Sequence, residues 1–392
     1  MTLLRAHHLG ELLVLIPHLL GYHPGRALVL IALNGGEVGP LARLDVSGVP
    51  DRSGVPDGGG LEAIADEIGS DPSVVQAVTA LSRCAERLLL VAYDAADEPA
   101  QSWERLVRRT AAEVGVPVEE TVHVCGSQWW HAGEEDLERR RLPTQVEVPA
   151  VAALVLAGSA PLPSRESVAA LVAGSEPGVD GVGRRLRQLR HAAEGSPSGG
   201  SSGPDSGQKT RGPLGNVTEV PVGAGWTESV RRDVRRGLRV WARLLDLSRE
   251  PEDGDEMAEA VFALDDHDIR DSVITWLAPG YGLTAEDLPW RVRRAGVPAP
   301  PVTARAQHGA MRHRLLLLIR STPTVDRAPL LTVLSIHAWA AGDGTVARLA
   351  VQEALVLDPR YRMAHLVALL IDHLVRKPSA QRGTVGAGAQ RG

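Results

Sequence analysis

Cysteine is nearly absent from this chain of 392 residues, which carries two, Cys84 and Cys125. Two isolated thiols exclude a disulfide framework and the paired C-x-x-C ligands of a structural zinc site, and they fit a reducing cytoplasm. Both are expected to be buried and inert. Lysine is as scarce, at Lys209 and Lys377 alone, while arginine is abundant. That bias is the pattern of a GC-rich coding sequence, and it warns against reading every arginine as a ligand. Long apolar runs are missing as well: Val148–Ala157 and Leu315–Ile319 fall far short of the roughly 20 residues a membrane-spanning helix needs. Glu11, Pro17 and His18 interrupt the stretch Leu9–Leu20, which is therefore expected to be mature structure and not an export signal. With a formal charge of −6 there is no general excess of positive charge for phosphate contacts, which disfavours a dedicated nucleic-acid binder. No G-x-G-x-x-G or G-x-x-x-x-G-K-[ST] follows an expected strand, no G-x-S-x-G elbow joins a strand to a helix, and no H-E-x-x-H occurs. No cofactor and no metal is expected, and the balance leans away from an enzyme.

What the sequence does contain is two regular segments around a low-complexity break. From Gly195 to Gly207 every residue except Asp205 is Gly, Ser or Pro, a composition that cannot bury enough apolar surface to offset its ordering entropy. A flexible linker over 195–225 is expected to join an α/β domain, 1–194, to an all-helical domain, 226–377, with a disordered tail over 378–392.

Within the first domain, Leu9, Leu12, Leu13, Ile16, Leu19 and Leu20 recur at helical spacing, and Tyr22-His23-Pro24-Gly25 ends the pattern. The apolar run Ala27–Leu33, the turn Asn34-Gly35-Gly36 and the alternating stretch Val38–Val46 predict a β-hairpin whose first strand is buried on both faces. A helical stretch from about Leu61 to Cys84, a strand Arg87–Tyr93, a helix Gln101–Val114 and a strand Glu120–Cys125 follow. Their order predicts a mixed sheet covered by helices. Trp129-Trp130 is expected on an edge or return strand, and two or three helices between Ala150 and Ala193 are expected to close the domain. Beyond the linker, helices are expected at 227–247, 255–264, 268–277, 304–320, 328–341, 344–357 and 361–375, with no strand.

Ala328–Pro359 matches the tetratricopeptide pattern at Gly342, Ala347, Ala354-Leu355 and Asp358-Pro359, with a further helix making a tetratricopeptide-like region over 328–375. Ser335 and Ala338 depart from that pattern, and one unit is fewer than the three or more that self-standing arrays need. The chain as a whole resembles an actinobacterial family catalogued as domain of unknown function 4192. The resemblance rests on Ile16-Pro17, Leu20-Gly21-Tyr22-His23-Pro24, Ala42-Arg43-Leu44-Asp45, Val91-Ala92-Tyr93-Asp94, Gly126 with Trp129-Trp130, Ser164-Arg165-Glu166, Val234-Arg235-Arg236, Arg270-Asp271, and Ala338-Trp339 with Gly342-Asp343-Gly344. It implies the two-part architecture and a cytoplasmic setting, and no activity.

Two sets of residues are candidates for function. His23, Arg43, Asp45 and Asp94 fall at expected strand ends, where open α/β sheets bind ligands, and Trp129 and Trp130 offer rings for stacking. The alternatives are an ion pair with turn-capping carboxylates, and tryptophans divided between core and surface. On the helix after the linker, Arg231, Arg235 and Arg239, with Arg243, are four apart, and Trp226 and Trp241 flank them as anchors for a docking partner. The alternative there is a solvated face. Asp265-Asp266-His267-Asp268 reads as a helix end and the cap of the next helix. The leading expectation is a cytoplasmic interaction or regulatory protein with a protein partner. A small-molecule sensor or enzyme built on the α/β domain is second, and nucleic-acid association through the arginine helix is third.

Overall fold

The computed structural model describes residues 8–35, 37–46, 71–133, 139–156, 159–174, 180–194, 228–250, 254–279, 286–300 and 307–373. The expected linker, the expected tail and the stretch 61–70 lie outside the described residues. Contacts divide the chain into two compact units, Met1–Ala169 with Ala368–Gly392, and Ala170–Val367.

The first unit is organised by its second element. Strand β1 (Ala27–Asn34) is fully buried from Ala27 through Ala32, as its unbroken apolar run requires. It pairs antiparallel with β2 (Glu37–Asp45) on one side and β3 (Arg87–Tyr93) on the other. A parallel partner, β4 (Val118–Cys125), then β5 (Gln128–His131) and the two-residue β6 (Arg140–Arg141) complete a mixed sheet in the order β2-β1-β3-β4-β5-β6. Trp129-Trp130 thus sits on a return strand, and β6 is the edge.

Strand alternation divides the burial between two faces. Leu28, Leu30, Leu44, Leu88, Leu90 and Ala92 point to one face, where α2 (Pro72–Ser82) and α3 (Glu98–Val114) cover them with Val74, Val78, Trp103 and Val107. Each fully buried Leu or Val contributes roughly 1.5–3 kcal/mol. Tyr93 points to the opposite face and donates from its hydroxyl to the Leu13 carbonyl of α1 (Leu9–Leu20) at 3.0 Å. Val14 and Leu15 of α1 pack in turn on Val148, Ala150 and Val151 around α4 (Pro149–Leu156). Helix α1 is apolar nearly all round because it is buried nearly all round. Gly21 ends it in the left-handed conformation, φ 82°, with its N–H on the Pro17 carbonyl.

Helix α5 (Arg165–Ala173) follows, and α6 (Asp180–Glu194) belongs to the second unit, upstream of the expected division at 194. The reason is side-chain complementarity. Val182 and Leu186 of α6 are buried, Arg185 reaches Asp255 and Glu259, and Arg190 reaches Asp265 and, at 2.6 Å, Asp326. The remaining helices are α7 (Glu228–Leu244), α8 (Gly254–Ala263), α9 (His267–Leu277), α10 (Trp290–Ala295), α11 (His308–Ser321), α12 (Ala328–Ala341), α13 (Gly344–Leu357) and α14 (Arg362–His373). No strand occurs among the described residues of this unit, and α10 is one helix the sequence pattern did not predict. Helices α12 and α13 form an antiparallel hairpin. Gly342 turns it at φ 88°, Asp343 caps α13, and Ala347, Ala350 and Ala354 are fully buried where the helices approach. Ser335, a departure from the repeat pattern, is satisfied inside the hairpin by donating to the Ala347 carbonyl at 2.6 Å. No helix among the described residues is long and apolar enough to cross a membrane.

Candidate functional site

The residues singled out at strand ends do lie along one edge of the sheet. Asp45 ends β2 beside Ala27, and Tyr93 flanks Ala27 from the other side, so Asp45 and Asp94 are separated by β1, roughly 10 Å at two strand spacings. They do not meet. Arg43, whose side chain is only 10 % exposed, donates from Nε to the Pro24 carbonyl at 2.9 Å and from Nη1 to Asp45 at 2.5 Å, and its guanidinium lies 5.9 Å from the Tyr22 ring. It fastens the Tyr22-His23-Pro24 turn to β2. On the far side of that turn Tyr22 bridges Leu162, and the His23 N–H donates to the Leu162 carbonyl, leaving the imidazole exposed. Nearby, hydrogen bonding from Ser164, with a smaller contribution from the charge of Arg43, holds the Glu166 carboxyl below its usual range.

Asp94 is occupied elsewhere. Its backbone takes φ 45°, among the described residues a positive value shared only with glycines, and an aspartate tolerates that region better than most side chains. There it connects the ends of β3 and β4: its N–H donates to the Val124 carbonyl at 2.8 Å, and its carboxylate accepts from the Gly126 N–H at 3.4 Å. Arg26 donates to the Asp94 carbonyl and bidentately to Asp97, the N-cap of α3. The four candidates thus share an edge and divide into two separate fasteners, one per β-connection. A cleft of about 330 Å³ lies at the other end of the sheet, between Arg108, Ala112 and Val116–Val118.

The two tryptophans point to opposite faces. Trp129 is buried, with Arg140 5.0 Å from its ring and His131 against its edge. Trp130, half-buried, is stacked on His123 at 5.6 Å and carries Arg139 at 4.6 Å. Its ring is already in use. This face of β4 also holds a pair that the sequence reading missed. Glu104 of α3 lies 3.6 Å from His123, and both residues are more than nine-tenths buried. Burial pushes the Glu104 carboxyl up to about 7 against the pull of Arg108 and Arg105, and burial pushes the His123 imidazole down. The signal was present: Glu104 interrupts the buried stripe Ala100, Val107, Ala111, and His123 interrupts the apolar run Val122–Val124 of an interior strand.

On α7 the expected arginine stripe divides. Val234, Leu238 and Trp241 face the core. Trp241 is fully buried and donates from Nε1 to the Ala260 carbonyl at 2.9 Å, so it is a packing residue and not a docking anchor. Arg243 pairs with Glu256 at 2.6 Å and Arg236 with Glu259. Arg235 and Arg239 are exposed, and among the described residues neither is held in an ion pair. Trp226 and the Arg231 side chain lie outside the described residues. Asp266 caps α9, as expected, and Arg291 binds both Asp266 and Asp268. No cluster of three metal-ligating side chains occurs among the described residues. Cys84 is half-buried and Cys125 is exposed, against the expectation that both are buried, because Cys125 is the last residue of β4, at the turn into β5.

A family model described as Domain of unknown function (DUF4192) matches residues 10–377. No curated protein and no solved structure matches the chain.

Two stability measurements test these assignments. Arg43→Met, which strips the buried Pro24 carbonyl of its donor, is expected to cost about 1–3 kcal/mol in urea unfolding, and Asp45→Asn less than about 1 kcal/mol because Asp45 is half exposed. Glu104 binds its proton more tightly folded than unfolded, so its contribution to stability is present below the ordinary glutamate range and is lost as pH rises toward about 7. Glu104→Gln is therefore expected to gain on the wild type by up to about 3 kcal/mol between mildly acidic and mildly alkaline buffer, read as a pH-dependent difference in urea midpoint.

Proposed function

This chain belongs to the DUF4192 family, and from that premise we propose that it is a non-enzymatic interaction protein whose helical unit docks an acidic protein partner. The supporting observation is the outer face of α7. Arg235 and Arg239 stand one turn apart and exposed, without a described counter-charge, while Arg236 and Arg243 beside them are paired with Glu259 and Glu256. A surface helix that neutralises two of its cations and leaves two adjacent ones bare has charge to offer a partner. The hairpin α12–α13 adds to this reading, because helical hairpins of the tetratricopeptide kind serve as frames for protein docking. One such unit is a frame and not an array.

The small-molecule reading is weaker, because Nε and Nη1 of Arg43 already go to Pro24 and Asp45 and no side chain of the Asp94 fastener shares them. Nucleic-acid association is weaker again for a chain of formal charge −6. Two free cysteines are in keeping with work in the cytoplasm.

Affinity capture from the source cells with the full chain as bait tests the proposal. Specific partners are expected to be lost about tenfold or more with the double variant Arg235→Glu, Arg239→Glu, and to weaken as salt rises, since exposed charges are screened beyond about 8–10 Å. Partners retained in full by the double variant sink it.

A further inference from the structure

The Glu104–His123 pair is not used by the docking surface, and its geometry is unusual for a packing contact. Both groups are titratable, both side chains are about nine-tenths buried, and they come from different elements, α3 and β4. Glu104 Oε1 and His123 Nε2 are 3.6 Å apart, too far for a hydrogen bond and too near to admit a water between them. Glu104 Oε1 and His123 Nδ1 are each buried without a hydrogen-bond partner. Buried polar atoms in native proteins are as a rule hydrogen-bonded, so these two unpaired atoms call for an explanation.

There are two ways to place a proton between the pair, and a neutral imidazole links them, because it carries one N–H and leaves its other nitrogen as an acceptor. We propose that Glu104 and His123 form a proton-driven tautomer switch. In the protonated state the Glu104 O–H donates to Nε2, so the ring proton sits on Nδ1. When the pair loses one proton to solvent, the carboxylate accepts from Nε2–H and Nδ1 is left bare. Nδ1 therefore carries the ring proton in one state and lacks it in the other, while the ring stays neutral.

The surroundings support that sequence of states. Arg105 and Arg108 on α3 draw the carboxyl toward ionisation, burial opposes them, and the balance falls at about 7. Burial lowers His123, which favours the neutral ring. Across the pleat, Arg108 is engaged with the Thr121 hydroxyl at 2.5 Å. Cys125 follows one pleat further along β4, Ala92 of β3 lies beside His123, and Arg139 lies beyond Trp130. The output has a route to the surface, since the His123 ring is stacked within 13° of parallel on half-buried Trp130, and Trp130 carries the exposed Arg139. Reversing the imidazole dipole changes the field at that ledge without moving the backbone.

Long-range proton–nitrogen NMR of the full chain, labelled with ¹⁵N-histidine and titrated from about pH 5.5 to about pH 8.5, reads the switch directly. His123 is expected to pass from the Nδ1–H to the Nε2–H tautomer with one inflection near 7. Glu104→Gln is expected to abolish the inflection, and Trp130→Phe to keep it. A single His123 tautomer across the range, or an unchanged inflection in Glu104→Gln, overturns the proposal. Should Glu104→Gln fail to fold, the ¹³C carboxyl shift of Glu104 in the wild type decides: an inflection near 7 supports the switch, and one near the ordinary value of about 4 refutes it.

Discussion

A strand buried on both faces has to be roofed on both faces and paired on both edges, and β1 meets the second demand with β2 and β3. Its even-numbered side chains, Leu28 and Leu30, draw α2 and α3 to one side of the sheet. Its odd-numbered positions, with Tyr93 beside them, draw α1 to the other. Because β1 runs antiparallel to both neighbours, its start coincides with the ends of β2 and β3. Polar residues that finish those strands are thereby gathered along one edge.

Gathering at an edge is not convergence on a ligand. Each polar residue there serves the connection next to it: Arg43 ties the incoming turn to β2, and Asp94 ties β3 to β4. The chemistry not absorbed by such fastening lies away from the edge. On β4 it is the buried Glu104–His123 pair, which exists because α3 covers β1 and β3 with apolar residues and meets β4 with Glu104 and Arg108. On α7 it is a matter of phase. The helix must point Val234, Leu238 and Trp241 inward, and this leaves Arg235 and Arg239 outward, where described acidic neighbours do not reach them.

Much of this architecture was legible in the sequence because it follows from local periodicity. The run Ala27–Leu33, the alternation through Ala42, Leu44 and Val46, and the helix stop at Gly342 each carry their own signal. The unit to which α6 belongs was not legible, since Arg185 and Arg190 find their acidic partners 70 to 136 positions further along the chain. Trp241 was misjudged for a related reason. A tryptophan beside an arginine stripe reads as an anchor until the neighbouring helix shows that its indole is enclosed. Glu104 and His123 were passed over because each interrupts an apolar pattern by one residue, and only the packing of α3 on β4 shows that the two interruptions coincide.

We conclude that the polar residues at the ends of β2 and β3 serve the fold, Arg43 fastening the turn at Pro24 and Asp94 joining β3 to β4. A thermal-shift screen of the full chain against metabolites tests it most directly, because any ligand bound tightly to the native state must raise its melting temperature. No metabolite is expected whose effect depends on these residues. A compound that raises the melting temperature of the wild type by several degrees, and loses that effect in both Asp45→Asn and Asp94→Asn, would contradict it.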